Sequence, residues 1–190
     1  MNSIKYTVVG TIFSVVMVYI TAYPLSRKSL PGRKWISIFF IITMYFGGGL
    51  VPTYLVVKDT GLLNNMWALF LPGGVAVGNM IIVRNFFETS IPGELMEAAE
   101  IDGAGHFTIF FKIMIPMMSG PIVAVLIMAF IGRWNIYDTI LMYLPSYPTL
   151  ATGLYLYKSV TDRMANIPVY FCGIFLSIIP PLVLFMFFSE

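Results

Sequence analysis

Apolar residues along the chain gather into long runs, and polar residues are largely confined to the segments between them. A helix needs about 20 mostly apolar residues to cross a bilayer, because hydrocarbon leaves every backbone hydrogen bond to be satisfied within the segment. Five runs meet this requirement and predict an all-α membrane protein with five transmembrane helices. Pro72, Gly73 and Gly74 predict a kink in the third. The predicted spans are residues 6–25, 35–57, 66–83, 117–137 and 167–188.

The charges between the runs predict an orientation. The segment at residues 26–34 holds the densest basic group in the chain, Arg27, Lys28, Arg33 and Lys34. Basic residues concentrate in cytoplasmic loops, so this segment is expected inside. Alternation then places residues 84–116 inside as well. It also places residues 58–65 and 138–166 outside, Met1 outside and Glu190 inside.

Composition supports the bilayer as the solvent of this chain. Hydrophobic residues make up 58% of it and charged residues 11%, and the mean hydropathy is +0.86. The net charge of +2 and the scattered basic residues exclude a nucleic-acid-binding surface. Cys172 is the only cysteine, so no cysteine-based metal cluster is possible. No phosphate-binding loop motif is present, and the chain is therefore not itself an ATPase.

The segment at residues 88–116 is rich in acid and predicts a helix, a turn and a second helix. Ser90 is expected to cap a helix that begins near Ile91, with Glu94 favourable at its amino end. Gly103 suits the left-handed residue that ends a helix. A second helical stretch is expected from about residue 105 and should stop before Pro116.

Helical periodicity separates two kinds of side chain on the first of these helices. At about 100° per residue, three glutamates share roughly a third of the circumference, and small or apolar residues occupy another part. The first set is Glu94, Glu97 and Glu100, and the second is Leu95, Ala98 and Ala99. We leave open whether Glu94 and Glu100 are solvated acids or contacts for a basic partner.

The spacing of this segment resembles a known signature: EAA, three residues, G, nine residues, then I-x-L-P. The matching residues are Glu97, Ala98, Ala99, Gly103, Ile113 and Pro116, and Ile115 stands where leucine is usual. The chain thus resembles the permease subunit of a binding-protein-dependent ABC importer. Asp102 resembles the sugar-importing branch, as do the stretches at residues 22–34, 47–65 and 133–135. The chain is thus similar to permeases for complex or oligomeric sugars.

The resemblance implies a fold and a set of partners. It implies a type I ABC importer permease, a single transmembrane domain over residues 1–190, in the bacterial cytoplasmic membrane. The cytoplasmic segment at residues 88–116 would be the coupling loop that contacts an ATPase, through Glu97, Ala98, Ala99, Asp102, Gly103, Ile113 and Pro116. The implied partners are a sister permease, an ABC ATPase dimer, an extracellular sugar-binding lipoprotein and membrane lipid. The ATPase, and not this chain, would use ATP and magnesium, and no cofactor, metal or catalytic residue is expected here.

Polar residues within spans tend to face a cavity or partner helices, which makes Asn79, Trp134 and Asn135 candidates for a sugar path. Trp134 also fits an interfacial aromatic belt, and Arg133 could pair with Asp138 as a structural bridge. His106 is interpreted as a polar surface residue and not as a metal ligand. The outer segment at residues 138–166 could contact a binding protein or lie along the membrane.

Two other hypotheses remain open at this stage. Family members usually have six spans, and this sequence is expected to lack the first span and the end of the tail. A truncated, non-transporting permease fragment is therefore one alternative. The other is an intramembrane enzyme, which would need paired acids, a Ser/His pair or a histidine-rich metal set near the spans.

Overall fold

The computed structural model describes residues 1–160 and 166–188, and within these residues every regular element is a helix. The all-α prediction is confirmed for this part of the chain. Residues 161–165 of the predicted outer segment, and Glu190 at the predicted inner end, lie outside the described residues.

Twelve α-helices and one π-helical segment, Phe110–Met114 between α7 and α8, follow one another in the described chain. The α-helices are α1 (Asn2–Ser26), α2 (Arg33–Tyr45), α3 (Leu50–Asp59), α4 (Trp67–Phe70), α5 (Val77–Ser90), α6 (Gly93–Ile101), α7 (His106–Ile109), α8 (Ile115–Met117), α9 (Ser119–Asn135), α10 (Asp138–Tyr143), α11 (Leu150–Val160) and α12 (Ile167–Phe188).

Two predicted spans are broken. The second is divided between α2 and α3, whose axes differ by 111° across the break. Gly49 precedes α3 with a φ of +84°, a conformation that residues with a Cβ rarely adopt. The third predicted span keeps only the four residues of α4 before the chain leaves the helix, and α5 begins at Val77. The predicted kink at Pro72 is thus a complete break, since proline removes a helical donor.

The chain divides into two compact units, each with a core of its own. The first comprises Met1–Phe13, Gly48–Gly73 and Leu126–Glu190, and in it α10 packs against α3, α4 and α11, while α11 packs against α12. The backbone N–H of Asn64 donates to the carbonyl of Tyr143 over 2.7 Å and ties the segment after α3 to α10. The buried core residues are Tyr6, Val57, Ala68, Leu69, Phe70, Ile140, Tyr143 and Leu144.

The second unit comprises Ser14–Gly47 and Gly74–Val125, and in it α2 packs against α5. The part of α1 in this unit contributes a stripe of buried residues with helical spacing: Val18, Tyr19, Ala22 and Leu25. The stripe packs in one cluster with Val83 and Phe87 of α5 and with Ala99 of α6. This core supports the segment that carries the EAA signature. The prediction of a single domain over residues 1–190 stays a prediction.

Candidate functional site

The helix that carries Glu97, Ala98 and Ala99 ends in a glycine turn of defined geometry. Its last residue is Ile101, and Gly103 has a φ of +77°, so the prediction of a left-handed residue at Gly103 is confirmed. The N–H of Gly103 donates to the carbonyl of Glu100 over 3.1 Å, and the N–H of Ala104 donates to that of Ala99 over 2.9 Å. These are the paired bonds of a Schellman motif, which satisfies carbonyls left free at a helix end.

The amino end of α6 differs from the prediction. Ser90 is the last residue of α5 and not the cap of the next helix, and α6 begins at Gly93, two residues later than expected. The residue before the helix is Pro92, and no side chain caps the first turn. Ser90 could not be assigned from sequence alone, because a serine at a helix boundary can end one helix or start another.

The faces of α6 have different surroundings in the folded chain. Ala99 is buried in the core of its unit, with Met96 packed against that core. Glu97, Ala98, Asp102 and Gly103 are exposed. The two alanines of the signature therefore have separate roles, since one anchors the helix and the other lies on its surface. Leu95 and Ile101 add apolar area to that surface, and Ile101 is 85% exposed.

Arg27 ties α6 to the end of α1. Its guanidinium forms an ion pair with Glu100, and its Nη1 donates to the Sδ of Met96 over 2.9 Å. The Arg27 side chain is 14% exposed and that of Glu100 is 46% exposed. Glu100 thus has a partner within the chain, while Glu94 forms no ion pair within the described residues.

A second charged cluster joins α5 to α2. The Glu88 Oε1 accepts from Arg84 Nε over 2.8 Å and also pairs with Arg33. Arg84 extends the network through its Nη1, which donates to the buried Ser37 Oγ over 2.9 Å. Sequence reasoning missed this cluster, although the four-residue spacing of Arg84 and Glu88 was a signal for one of its pairs.

Beyond the turn, the second helical stretch runs from His106 to Met117 and includes the π-helical segment. The expected stop before Pro116 is wrong, because this proline lies within α8 and the chain bends by 82° only at the junction with α9. Proline removes one backbone donor, and the π-helical segment directly before α8 already departs from the α-helical hydrogen-bond pattern. Ile113 packs against the core of the unit, and Pro116 is exposed.

The candidate path residues are placed in different surroundings. Trp134 is 7% exposed, its Nε1–H donates to the carbonyl of Ser177 over 2.9 Å, and its ring stacks on Phe130 with centroids 6.0 Å apart. Asn135 is exposed at the end of α9. Asn79 belongs to the second unit, where it is half-buried in α5. The indole N–H of Trp134 is thus used within the chain.

Arg133 binds the broken third segment and not Asp138. Its Nη1 and Nη2 donate to the carbonyls of Leu69 and Gly73 over 2.5 and 3.2 Å. Asp138 accepts from the backbone N–H of Thr139 over 2.7 Å, so the proposed bridge to Arg133 is wrong. A guanidinium has five donors and can satisfy carbonyls that a helix break releases. No group of three metal-ligating side chains occurs in the described residues.

The comparison with known families decides the identity. Residues 5–189 match the family described as "Binding-protein-dependent transport system inner membrane component". The chain belongs to this family of permeases.

Named relatives of this permease transport saccharides. It is 42% identical over 142 residues to the polygalacturonan/rhamnogalacturonan transport system permease protein YtcP of Bacillus subtilis strain 168, an alignment that covers 75% of this chain and 49% of that protein. It is 29% identical to the maltodextrin transport system permease protein MdxG of the same strain, covering 100% of this chain and 69% of the relative. The permease thus spans about half the length of the first relative.

A solved structure shows the same fold. The permease superimposes with a TM-score of 0.87, at 29% sequence identity, on a chain of a bacterial ABC transporter involved in the import of the acidic polysaccharide alginate. The match covers 99% of this chain and 72% of that one. The permease therefore has the type I ABC permease fold, and its resemblance to sugar importers is confirmed.

Within its described residues the permease has two helices that are each long and apolar enough to cross a membrane, α1 and α12. The number rises to four if each bent pair, α2 with α3 and the stretch from His106 to Met117 with α9, forms one span. The predicted count of five additionally requires a span across the break between α4 and α5.

Proposed function

We propose that this permease translocates a sugar or oligosaccharide across the bacterial cytoplasmic membrane, and that a separate ABC ATPase drives it through α6. The proposal includes five spans, with residues 88–116 on the cytoplasmic side. The partners are a sister permease, an ATPase dimer that uses ATP and magnesium, and an extracellular sugar-binding lipoprotein. The chain itself binds no cofactor and performs no covalent chemistry.

The observation that carries the proposal is an exposed apolar surface on an anchored helix. Leu95, Ala98 and Ile101 follow one another at three-residue intervals on α6 and are all exposed. Residues three apart on a helix are surface neighbours, so the three form one patch. Glu97 is exposed on the same helix. An apolar patch with an acidic neighbour on a helix outside the spans is suited to contact with a protein partner.

The anchoring of α6 supports a mechanical role. The small side chain of Ala99 alone would hold α6 weakly. Its burial is reinforced by the Arg27–Glu100 ion pair and by the Schellman turn at Gly103. A displacement of the patch is therefore passed to α1 through Arg27 and to the stretch from His106 to Met117 through the turn. In this proposal ATPase closure moves α6, and these contacts reorient the spans.

The relatives support a saccharide as the cargo. YtcP and MdxG are named for the transport of a polygalacturonan or rhamnogalacturonan and of maltodextrin, and the solved transporter imports alginate. We infer a sugar or oligosaccharide as the substrate class, with Asn79, Trp134 and Asn135 as candidate path residues.

Co-purification tests the coupling. We expect the unsubstituted chain, co-expressed with its partner subunits, to retain the ATPase on extraction. Ile101→Asp and Glu97→Lys should lose it while their membrane yield is unchanged, because both residues are exposed and neither supports the core. Thr108→Asp is the matched control, since it adds charge at an exposed residue beyond the turn.

Two results would contradict the proposal. Full ATPase retention by both α6 variants would refute coupling through this helix. No ATPase retention by the unsubstituted chain, despite partner subunits that assemble with each other, would leave the non-transporting fragment as the better interpretation.

A further inference from the structure

An apolar cavity of about 490 Å³ lies in the second unit, between the end of α1 and the stretch that follows Gly105. Its apolar walls include Ile20 and Leu30 on one side and Phe107, Phe110 and Phe111 on the other. Arg27, Ser29 and His106 also line it. The cavity does not involve the exposed patch of α6, so it lies outside the proposed coupling surface.

Ring contacts hold the walls in place. Tyr23 of α1 packs against Phe110 with ring centroids 5.0 Å apart, and its hydroxyl donates to the carbonyl of His106 over 3.4 Å. Phe110 is 7% exposed and belongs to the core of the unit. The cavity is thus part of the folded unit.

The residues at its mouth favour lipid over water. Phe107 and Phe111 are 83% and 62% exposed, and their four-residue spacing places them on one side of the helical stretch. Two exposed phenylalanines beside an apolar cavity form a patch that is costly in water. The same arrangement is favourable where acyl chains surround it.

The length of α1 places the cavity near the headgroups. A helix of 25 residues is about 37 Å long, whereas the hydrocarbon layer is about 30 Å thick. The last turns of α1, from which Ile20, Tyr23 and Arg27 reach the cavity, therefore extend toward the interface. Depth and apolar walls together match the region where a lipid headgroup meets its acyl chains.

Charge at the mouth selects the kind of lipid. The Arg27 guanidinium is occupied by Glu100 and Met96. The next residue, Lys28, is exposed and forms no ion pair within the described residues. Ser29 follows and lines the cavity, so the exposed Lys28 is the chain neighbour of a hydroxyl that lines it. Basic residues beside a membrane attract anionic lipids.

We propose that this cavity binds an anionic phospholipid, with an acyl chain between Ile20 and Phe111 and the phosphate near Lys28 and Ser29. The lipid would contact both the end of α1 and the stretch from His106 to Met117.

Fluorescence quenching in vesicles tests this site. Phe111→Trp places a reporter at the mouth, at an exposed position, and the unsubstituted chain gives the background of its three tryptophans. The chain is reconstituted with its partner subunits, and brominated phosphatidylglycerol is compared with brominated phosphatidylcholine of the same acyl chains. We expect stronger quenching by phosphatidylglycerol, and Lys28→Gln should lower its relative affinity about fivefold, since one surface lysine contributes ~1 kcal/mol. Lys5→Gln, at the other end of α1, should leave it unchanged.

Four outcomes would overturn the proposal. Equal quenching by the two lipids would show that the headgroup charge is not recognised. An equal loss in Lys5→Gln would indicate general attraction to the surface. Displacement of the lipid by inorganic phosphate would indicate a site for the free anion. No quenching by either lipid would show that a polypeptide covers the cavity in the assembled complex.

Discussion

Arg27, at the first position after α1, forms an ion pair with Glu100 in the last turn of α6. The two residues are 73 positions apart in the sequence, so the pair joins a membrane helix to the helix that carries the EAA signature. Glu100 also lies one residue before Ile101, the most exposed apolar residue of α6. The pair therefore holds the patch at a fixed place relative to α1.

Removing either charge should weaken coupling more than stability. Arg27→Gln and Glu100→Gln are each expected to cost at most about 1 kcal/mol of folding free energy, because the pair is partly exposed and screened. Each should lower substrate-stimulated ATP hydrolysis of the complex, and the double variant should lower it no further than either single one. Glu94→Gln is the control. If it lowers ATP hydrolysis by as much, then acidic charge on α6 in general, and not the ion pair, supports coupling.

Gly103 should resist substitution for conformational reasons alone. A Cβ at this position meets nothing within 4 Å, but the φ of +77° is costly for any other residue, by about 1–2 kcal/mol. We expect Gly103→Ala to lower the unfolding temperature of the detergent-purified chain and to reduce ATPase retention.

Gly105→Ala provides the matched comparison for this turn. Gly105 has a φ of −70° and equally open space, so the substitution should change stability by no more than about 0.5 kcal/mol. Equal losses of stability in Gly103→Ala and Gly105→Ala would show that the left-handed conformation is not the reason for a glycine at position 103.

Gly10 is constrained by contact, in contrast to Gly103. A Cβ there would lie 2.8 Å from Cε1 of Phe70 and 3.4 Å from Cδ of Arg133. Phe70 is 1% exposed and its ring is packed inside the core of its unit. Overpacking should therefore cost about 1–3 kcal/mol and outweigh the gain of up to ~1 kcal/mol in helix propensity. Thermal unfolding of Gly10→Ala should show the loss. Gly78→Ala in α5, where nothing lies within 4 Å, should be neutral or stabilising, and a neutral Gly10→Ala would refute the close packing.

Measurements of stability and of transport kinetics together test the roles of Trp134 and Asn135. Trp134→Phe removes the bond to the Ser177 carbonyl and should cost about 1 kcal/mol of stability, with little change in the apparent KM for transported saccharide. Asn135→Ala removes an exposed amide and should leave stability within about 0.5 kcal/mol. A raised KM for Trp134→Phe without a loss of stability would instead place the indole in the sugar path.

The sequence was sufficient where a single local pattern determined the structure. The continuous apolar runs predicted α1 and α12 to within a few residues at each end, and the single glycine after the EAA helix predicted its left-handed turn. It was insufficient where contacts between residues distant in the sequence determine the structure. Arg27, Glu88 and Arg133 each have a partner far along the sequence, and no local pattern specifies these pairs. The partners are Glu100, Arg33 and Leu69, respectively. The break between α2 and α3 lay within an apolar run, where the count of hydrophobic residues masked three consecutive glycines.

The contrast in burial between the first and last helices has a consequence for biogenesis. No residue of the apolar window of α12 is buried, whereas 44% of that of α1 is, and α1 also buries the hydroxyl side chains of Thr7, Thr11 and Ser14. A helix that is apolar on every side partitions from the translocon into lipid without assistance from the rest of the chain. The hydroxyl groups of α1 are shielded only after its neighbours have been synthesised. Helix α1 therefore depends on helices later in this sequence for its final environment, to a greater extent than α12 does.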